Sequence, residues 1–121
     1  MTPVSDRVLL HIDDGLRRLV DPAEVYYLEA VGDATDVRLR SARPLVDVRP
    51  LGELLPAFEG HGFLRIHREF AVNLRQVREI RRRGQGRDWE VKLRSPVNRV
   101  LPVSRSALAE LLAAFESGTS D

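Results

Sequence analysis

Apolar and polar residues alternate one by one through several short stretches of this 121-residue chain, and each stretch stops at turn-forming residues. A period of two sends successive side chains to opposite faces of a strand, so the pattern commits most of the chain to sheet. Val8, Leu10 and Ile12 alternate with Arg7, Leu9 and His11, and Asp13-Asp14-Gly15 offers a turn that tolerates positive φ before a partner run at Leu16 to Val20. Val25 to Val31 is β-branched, aromatic and continuously apolar at its start, as in a strand buried on both faces. Gly32-Asp33 turns the chain into an alternating run around Val37 and Leu39. Trp89, Val91 and Leu93 form another strand after the Gly84-Gln85-Gly86 turn. Ser95-Pro96-Val97-Asn98 then turns into Arg99 to Val103, where Pro102 lacks an N–H and places the strand at a sheet edge.

Two segments change period. Leu51, Leu54, Leu55 and Phe58 stand at i, i+3, i+4 and i+7, one face of a helix with Pro50 in its first turn and Pro56 ending or tightening it. Leu108, Leu111, Leu112 and Phe115 repeat the spacing, with Ser104 or Ser106 as cap and Gly118 beyond the end. Asn73 to Gln76 reads as an irregular turn, with a strand starting near Val77. These signals predict one mainly β domain spanning residues 1–121, with its core at about 7–115, a frayed tail at 116–121 and two short amphipathic helices closing the core.

Composition excludes whole classes of chemistry. The chain has no cysteine, which removes disulfides, thiolate metal sites and cysteine nucleophiles. With 43% hydrophobic and 31% charged residues it has enough apolar content for a packed core. No apolar run is long enough to span a membrane and no signal peptide is visible, so a cytoplasmic protein is expected. His11, His61 and His67 never stand at i, i+4, which speaks against zinc. Glu29, Asp33 and Asp36 could converge on a hard cation, as in a small metal-dependent nuclease. Turn chemistry explains the two aspartates more simply. No phosphate-cradling or nucleophile motif occurs. The expectation is a non-enzyme with no cofactor and no metal.

Charge is distributed more informatively than its total. The chain carries a net +1, yet residues 65–105 hold 12 basic and 4 acidic side chains, net +8, and residues 1–64 are net −4. Such a segment fits a polyanion, because its self-repulsion costs stability until a partner neutralises it. Within it, Leu64 and Ile66 alternate with Arg65 and His67, which holds Arg65, His67 and Arg68 outward. Further cations follow at Arg75, Arg78, Arg81 to Arg83, Arg99 and Arg105, and Arg99 joins the expected phosphate contacts. Asn73 is read as an amide bonding buried backbone rather than as a base reader.

The stretches YLEAVGDATDVRL (27–39), LGELLPAF (51–58), FLRIHREFAVNLRQVREI (63–80) and LPVSRSALAELLAAF (101–115) resemble the LytTR-type DNA-binding domain. The third resembles that family's F-x-R-x-H-R-x-x-x-V-N-x-x-x-I pattern, and Val103-Ser104-Arg105 resembles its V-S-R. The resemblance implies an elongated stack of antiparallel sheets. It also implies a bacterial transcription regulator, such as a response-regulator output domain, that inserts loops into DNA major grooves at direct repeats. Base contact is thereby expected from the loop Asp33-Ala34-Thr35, from Arg68 and from Arg105; an arginine fork suits guanine O6 and N7. Arg65, His67 and Ser104 are expected on phosphates, which orient without specifying. Glu69 departs from the small hydroxyl residue common at its position, so no phosphate role carries over to it. Expected partners are double-stranded DNA, a second copy on tandem repeats and a separate sensor or receiver protein. The rival readings are an RNA-binding β module, which would stack bases on exposed aromatics, the metal nuclease, and a domain whose basic face meets an acidic protein.

Overall fold

The computed structural model describes residues 6–40 and 43–116. The tail expected to fray falls almost wholly outside the described residues, and its first member, Glu116, ends a helix. The first hairpin pairs β1 (Val8–Asp13) with β2 (Leu16–Val20), from Val8 opposite Val20 to His11 opposite Arg17. Its turn falls at Asp14-Gly15 as expected, without drawing on the positive φ that these residues tolerate. Instead the Asp13 carboxylate accepts the Gly15 N–H at 2.8 Å, and a bulge at Ile12 accommodates the bend.

Five strands form the middle layer: β3 (Val25–Val31), β4 (Ala34–Leu39), β5 (Leu45–Asp47), β6 (Phe63–His67) and β7 (Phe70–Asn73). They lie side by side in the order β5-β4-β3-β7-β6, all antiparallel. Central β3 explains the unbroken apolar start of its sequence, since Val25, Tyr26, Tyr27 and Leu28 are all buried. Val25, Leu28, Val37 and Ala71 pack with Val8, Leu10 and Val20 of the first hairpin on one side. Tyr27, Phe70 and Val72 meet Val91, Leu93, Leu101 and Val103 on the other. Those last residues belong to the third sheet, β8 (Val77–Arg82), β9 (Trp89–Leu93) and β10 (Val100–Val103), ordered β10-β9-β8. β10 is an edge strand, as its proline requires. The result is three stacked β layers with an apolar core on each side of the middle one.

The Leu51–Phe58 face is buried throughout, but Pro56 divides the helix into α1 (Leu51–Leu54) and α2 (Pro56–Glu59). Leu55 keeps helical angles between them, and Pro50 is the cap rather than a first-turn residue. The one expected helix is thus two single turns, because Pro56 cannot donate to the preceding turn. The second expected helix is α3 (Arg105–Glu116). Of its apolar stripe Leu111 is buried and Phe115 is 39% exposed, so Phe115 is not a core residue. The turn before β8 is one 3-10 turn, Leu74–Gln76, capped by Asn73. Asn73 is 1% exposed; its amide donates to the Pro22 and Val25 carbonyls and its oxygen accepts the Arg75 N–H. That is the structural amide the sequence suggested.

Candidate nucleic-acid interface

Arg68 and Glu69 form the two-residue tip of the β6–β7 hairpin, with His67 paired to Phe70 below them. Three polar contacts fix this tip. The Glu69 N–H donates to His67 Nδ1 at 3.1 Å, so the free proton of the neutral ring lies on Nε2. Arg65 donates from Nε to the His67 carbonyl at 3.3 Å and from Nη2 to the Arg68 carbonyl. The Glu69 carbonyl accepts the Ala30 N–H at 2.8 Å, tying the tip to β3. Backbone Arg68 is therefore held, while its side chain is exposed with no hydrogen bond or ion pair among the described residues. Glu69 is exposed too, and its carboxylate does not pair with Arg68.

Two more segments adjoin this tip. The Ala30 bond places it beside the β3–β4 turn, whose Gly32 takes φ +59, open to glycine without the penalty a Cβ brings. On the other flank the Ser104 N–H donates to the Ile66 carbonyl at 2.7 Å, docking the start of α3 beside β6. Arg65, His67, Arg68, Ser104, Ser106 and Glu110 line an open groove of about 430 Å³ there. It brings together two hydroxyls and the cationic fork of Arg65, groups suited to a phosphate oxygen, with Glu110 as the one carboxylate of its lining. Arg105, between Ser104 and Ser106 at the start of α3, is 72% exposed and 3.8 Å from an Asp88 carboxylate that is 66% exposed. A long, hydrated pair of this kind contributes about 0–1 kcal/mol, so it does not restrain Arg105 against a better acceptor.

Two expectations are corrected. The segment Asp33-Ala34-Thr35 is no open loop: Val31 pairs with Ala34, leaving Gly32 and Asp33 as the turn, and Ala34 and Thr35 belong to β4. Thr35 is fully buried and donates to the Arg49 carbonyl at 2.8 Å, so it cannot touch a base. Asp33 alone of the three is exposed. Arg99 is no free phosphate contact either. Its Nη1 donates to Tyr27 Oη at 2.7 Å and to Glu29 Oε1 at 3.0 Å, and the guanidinium lies 5.2 Å from the Tyr27 ring centre and 5.4 Å from that of Phe70. Burial opposes its charge, but Tyr27 and Glu29 hold its pKa above the ordinary arginine value. Arg99 joins the third sheet to the middle one. The same contact engages Glu29, which the sequence had offered as a cation ligand.

Sequence reasoning counted Arg83 among the cations fitting a polyanion but named no DNA contact at the β8–β9 tip, residues 83–88, which is closed by the Arg83 N–H to the Asp88 carbonyl at 2.7 Å. Arg83 and Arg87 project there, and the Asp88–Arg105 pair attaches the tip to the α3 start. The usable signal was arginine on both sides of the Gly84-Gln85-Gly86 turn.

Hairpin tips and a helix start that carry the exposed Arg68, Arg83, Arg87 and Arg105, built on stacked β sheets, fit a nucleic-acid-binding β domain. Among the described residues no three metal-capable side chains cluster, and no helix is long and apolar enough to cross a membrane. The sequence profile of the LytTr DNA-binding domain matches residues 16–116, and the chain belongs to that family of DNA-binding domains. Among solved structures it is similar to the LytTr DNA-binding domain of a protein described as a methyl-accepting/DNA response regulator from Bacillus cereus. That likeness has 25% identity and a TM-score of 0.69, covering 88% of this chain and 95% of the other. Comparison with curated proteins gave no match.

Proposed function

We propose that this domain reads specific double-stranded DNA sequences as the output part of a transcription regulator, with its hairpin tips and the α3 start in major grooves at direct repeats. Arg68 and Arg105 are the guanine readers, Asp33 is the third base-facing position, and Arg65, His67 and Ser104 grip phosphate. The carrying observation is that Arg68, which lines the groove, and Arg105, which stands between Ser104 and Ser106 of its lining, are both exposed, the two segments being joined by the Ser104–Ile66 bond. The RNA alternative lacks its stacking surface: Phe115 is the one aromatic more than a third exposed among the described residues, and it packs beside Val77 and Ile80, not beside the groove. A receiver or sensor protein upstream of the domain and side-by-side occupation of tandem sites belong to the same proposal.

Selecting bound duplexes from a random pool, then repeating the selection with Arg68→Ala and Arg105→Ala, tests it. Each variant is expected to relax preference at one base position by about 1–3 kcal/mol. Unaltered preference in both variants, or displacement of the duplex by single-stranded RNA, would overturn the assignment.

A further inference from the structure

Arg83 and Arg87 project from the tip between β8 and β9, outside the positions through which the family resemblance implies contact with DNA. The tip is a fixed platform: the Arg83 N–H reaches the Asp88 carbonyl at 2.7 Å, the Gly86 N–H reaches the Arg83 carbonyl at 3.4 Å, and Gly84 supplies the left-handed turn at φ +55. Its neighbours divide the local charge unequally. Arg81 is neutralised by Glu90 at 2.7 Å, with Glu79 at 3.7 Å. Arg83 lies at 3.8 Å from the same Glu90, whose carboxylate is already engaged. Arg87 has no ion pair among the described residues. The one carboxylate at the tip, Asp88, points to Arg105.

We propose that this tip is a separate clamp for duplex DNA, in which Arg83 and Arg87 hold backbone phosphates flanking the site that Arg68 and Arg105 read. The inference rests on the DNA-binding reading and extends its footprint. The contiguity is carried by bonds: β3 to the Arg68 tip through Ala30 and Glu69, that tip to the α3 start through Ile66 and Ser104, and the α3 start to the new tip through Arg105 and Asp88. A duplex seated on the first two segments runs past the third. When Arg105 turns to a base it leaves Asp88, and the released carboxylate is offset by Arg87 beside it. Phosphate contact at this tip positions the duplex and carries no sequence information.

The test uses the whole chain and a selected duplex in two lengths, one ending at the last specified base pair on the α3 side and one extended by half a helical turn. Arg83→Gln/Arg87→Gln is expected to bind the extended duplex about tenfold more weakly, with the log–log salt slope reduced by about two and base preference unchanged. On the short duplex the variant and the parent chain bind alike. Equal affinity of the two proteins on the extended duplex overturns the clamp, as does a changed base preference. If the parent chain selects no duplex at all, the failure belongs to the DNA-binding reading, because the clamp is scored only as a difference on a bound site. Both side chains are exposed, and matched thermal unfolding of the two proteins confirms that the comparison is between folded chains.

Discussion

Arg65 shows how one side chain can serve two purposes that a sequence cannot separate. Its guanidinium has an outward charge, which any reading of the basic run supplies, and it also donates to the His67 and Arg68 carbonyls. Lysine matches the first property but not the second, since a point charge on a flexible stem lacks the planar fork. Arg65→Lys is therefore expected to keep the salt dependence of DNA binding while relaxing preference at the base that Arg68 reads. Arg65→Gln should lower the salt slope by about one as well. Selection and salt titration on the same variants measure both. Full selectivity in the lysine variant would mean the tip holds its shape without the fork. At this scale the sequence already grouped Arg68, His67 and Ser104, which line one groove, with Arg105 next to Ser104 at the start of α3. It misled for Thr35 and Arg99, because hydroxyls and arginines are equally at home in surface contacts and in buried bonds, and only the register decides.

Among elements, the short strands hid best. Three-residue β5 is too brief to show a period, and the β6–β7 hairpin turns on Arg68-Glu69 with no glycine, proline or asparagine to mark it. What anchors β5 is Asp47, fully buried, whose carboxylate accepts the His11 N–H at 2.8 Å and the Arg49 N–H, Nε and Nη2 at 2.8–2.9 Å. Arg49 reaches on to the Leu9 carbonyl at 3.2 Å, so this pair fastens the first hairpin to the middle sheet. Burial raises the Asp47 pKa, but the hydrogen bonds from Arg49 and from the His11 and Arg49 N–H groups outweigh it and hold the carboxyl below its ordinary 3.8. The sign follows: a carboxyl depressed on folding stabilises the protein fully above 3.8, and the contribution fades as pH falls through the lower folded value. Urea unfolding should show the chain losing stability below about pH 4, with a flatter profile for Asp47→Asn. Asp47→Ala should cost about 3 kcal/mol at neutral pH, because it strands the His11 N–H and a partly buried guanidinium. A loss under 1 kcal/mol would show that the hairpin is held by its apolar face alone.

For the whole molecule, the late arginines are not one surface. Arg65, Arg68, Arg83, Arg87 and Arg105 lie at or beside the hairpin tips and the α3 start, Arg83 and Arg105 only 3.8 Å from a carboxylate, whereas Arg81 and Arg99 are held closely by carboxylates at 2.7 and 3.0 Å. Arg75 follows Asn73 at the opposite end of β7, and the Arg94 N–H bonds the Gln76 carbonyl beside it. From the Arg68 tip to Arg75 the chain covers roughly 15 Å at strand rise, well beyond the roughly 8 Å over which physiological salt screens an exposed charge. The +8 of residues 65–105 therefore overstates what a bound duplex meets, and the net +1 of the chain understates it. Two double variants separate local from global charge. Arg65→Gln/Arg68→Gln and Arg75→Gln/Arg94→Gln each remove two positive charges, taking the chain from +1 to −1. If the hairpin tips are the contact, the first lowers the salt slope of duplex binding by about two and the second leaves it unchanged. Equal effects from both pairs would mean that total charge governs association and that the placement of these arginines at the hairpin tips is incidental to binding.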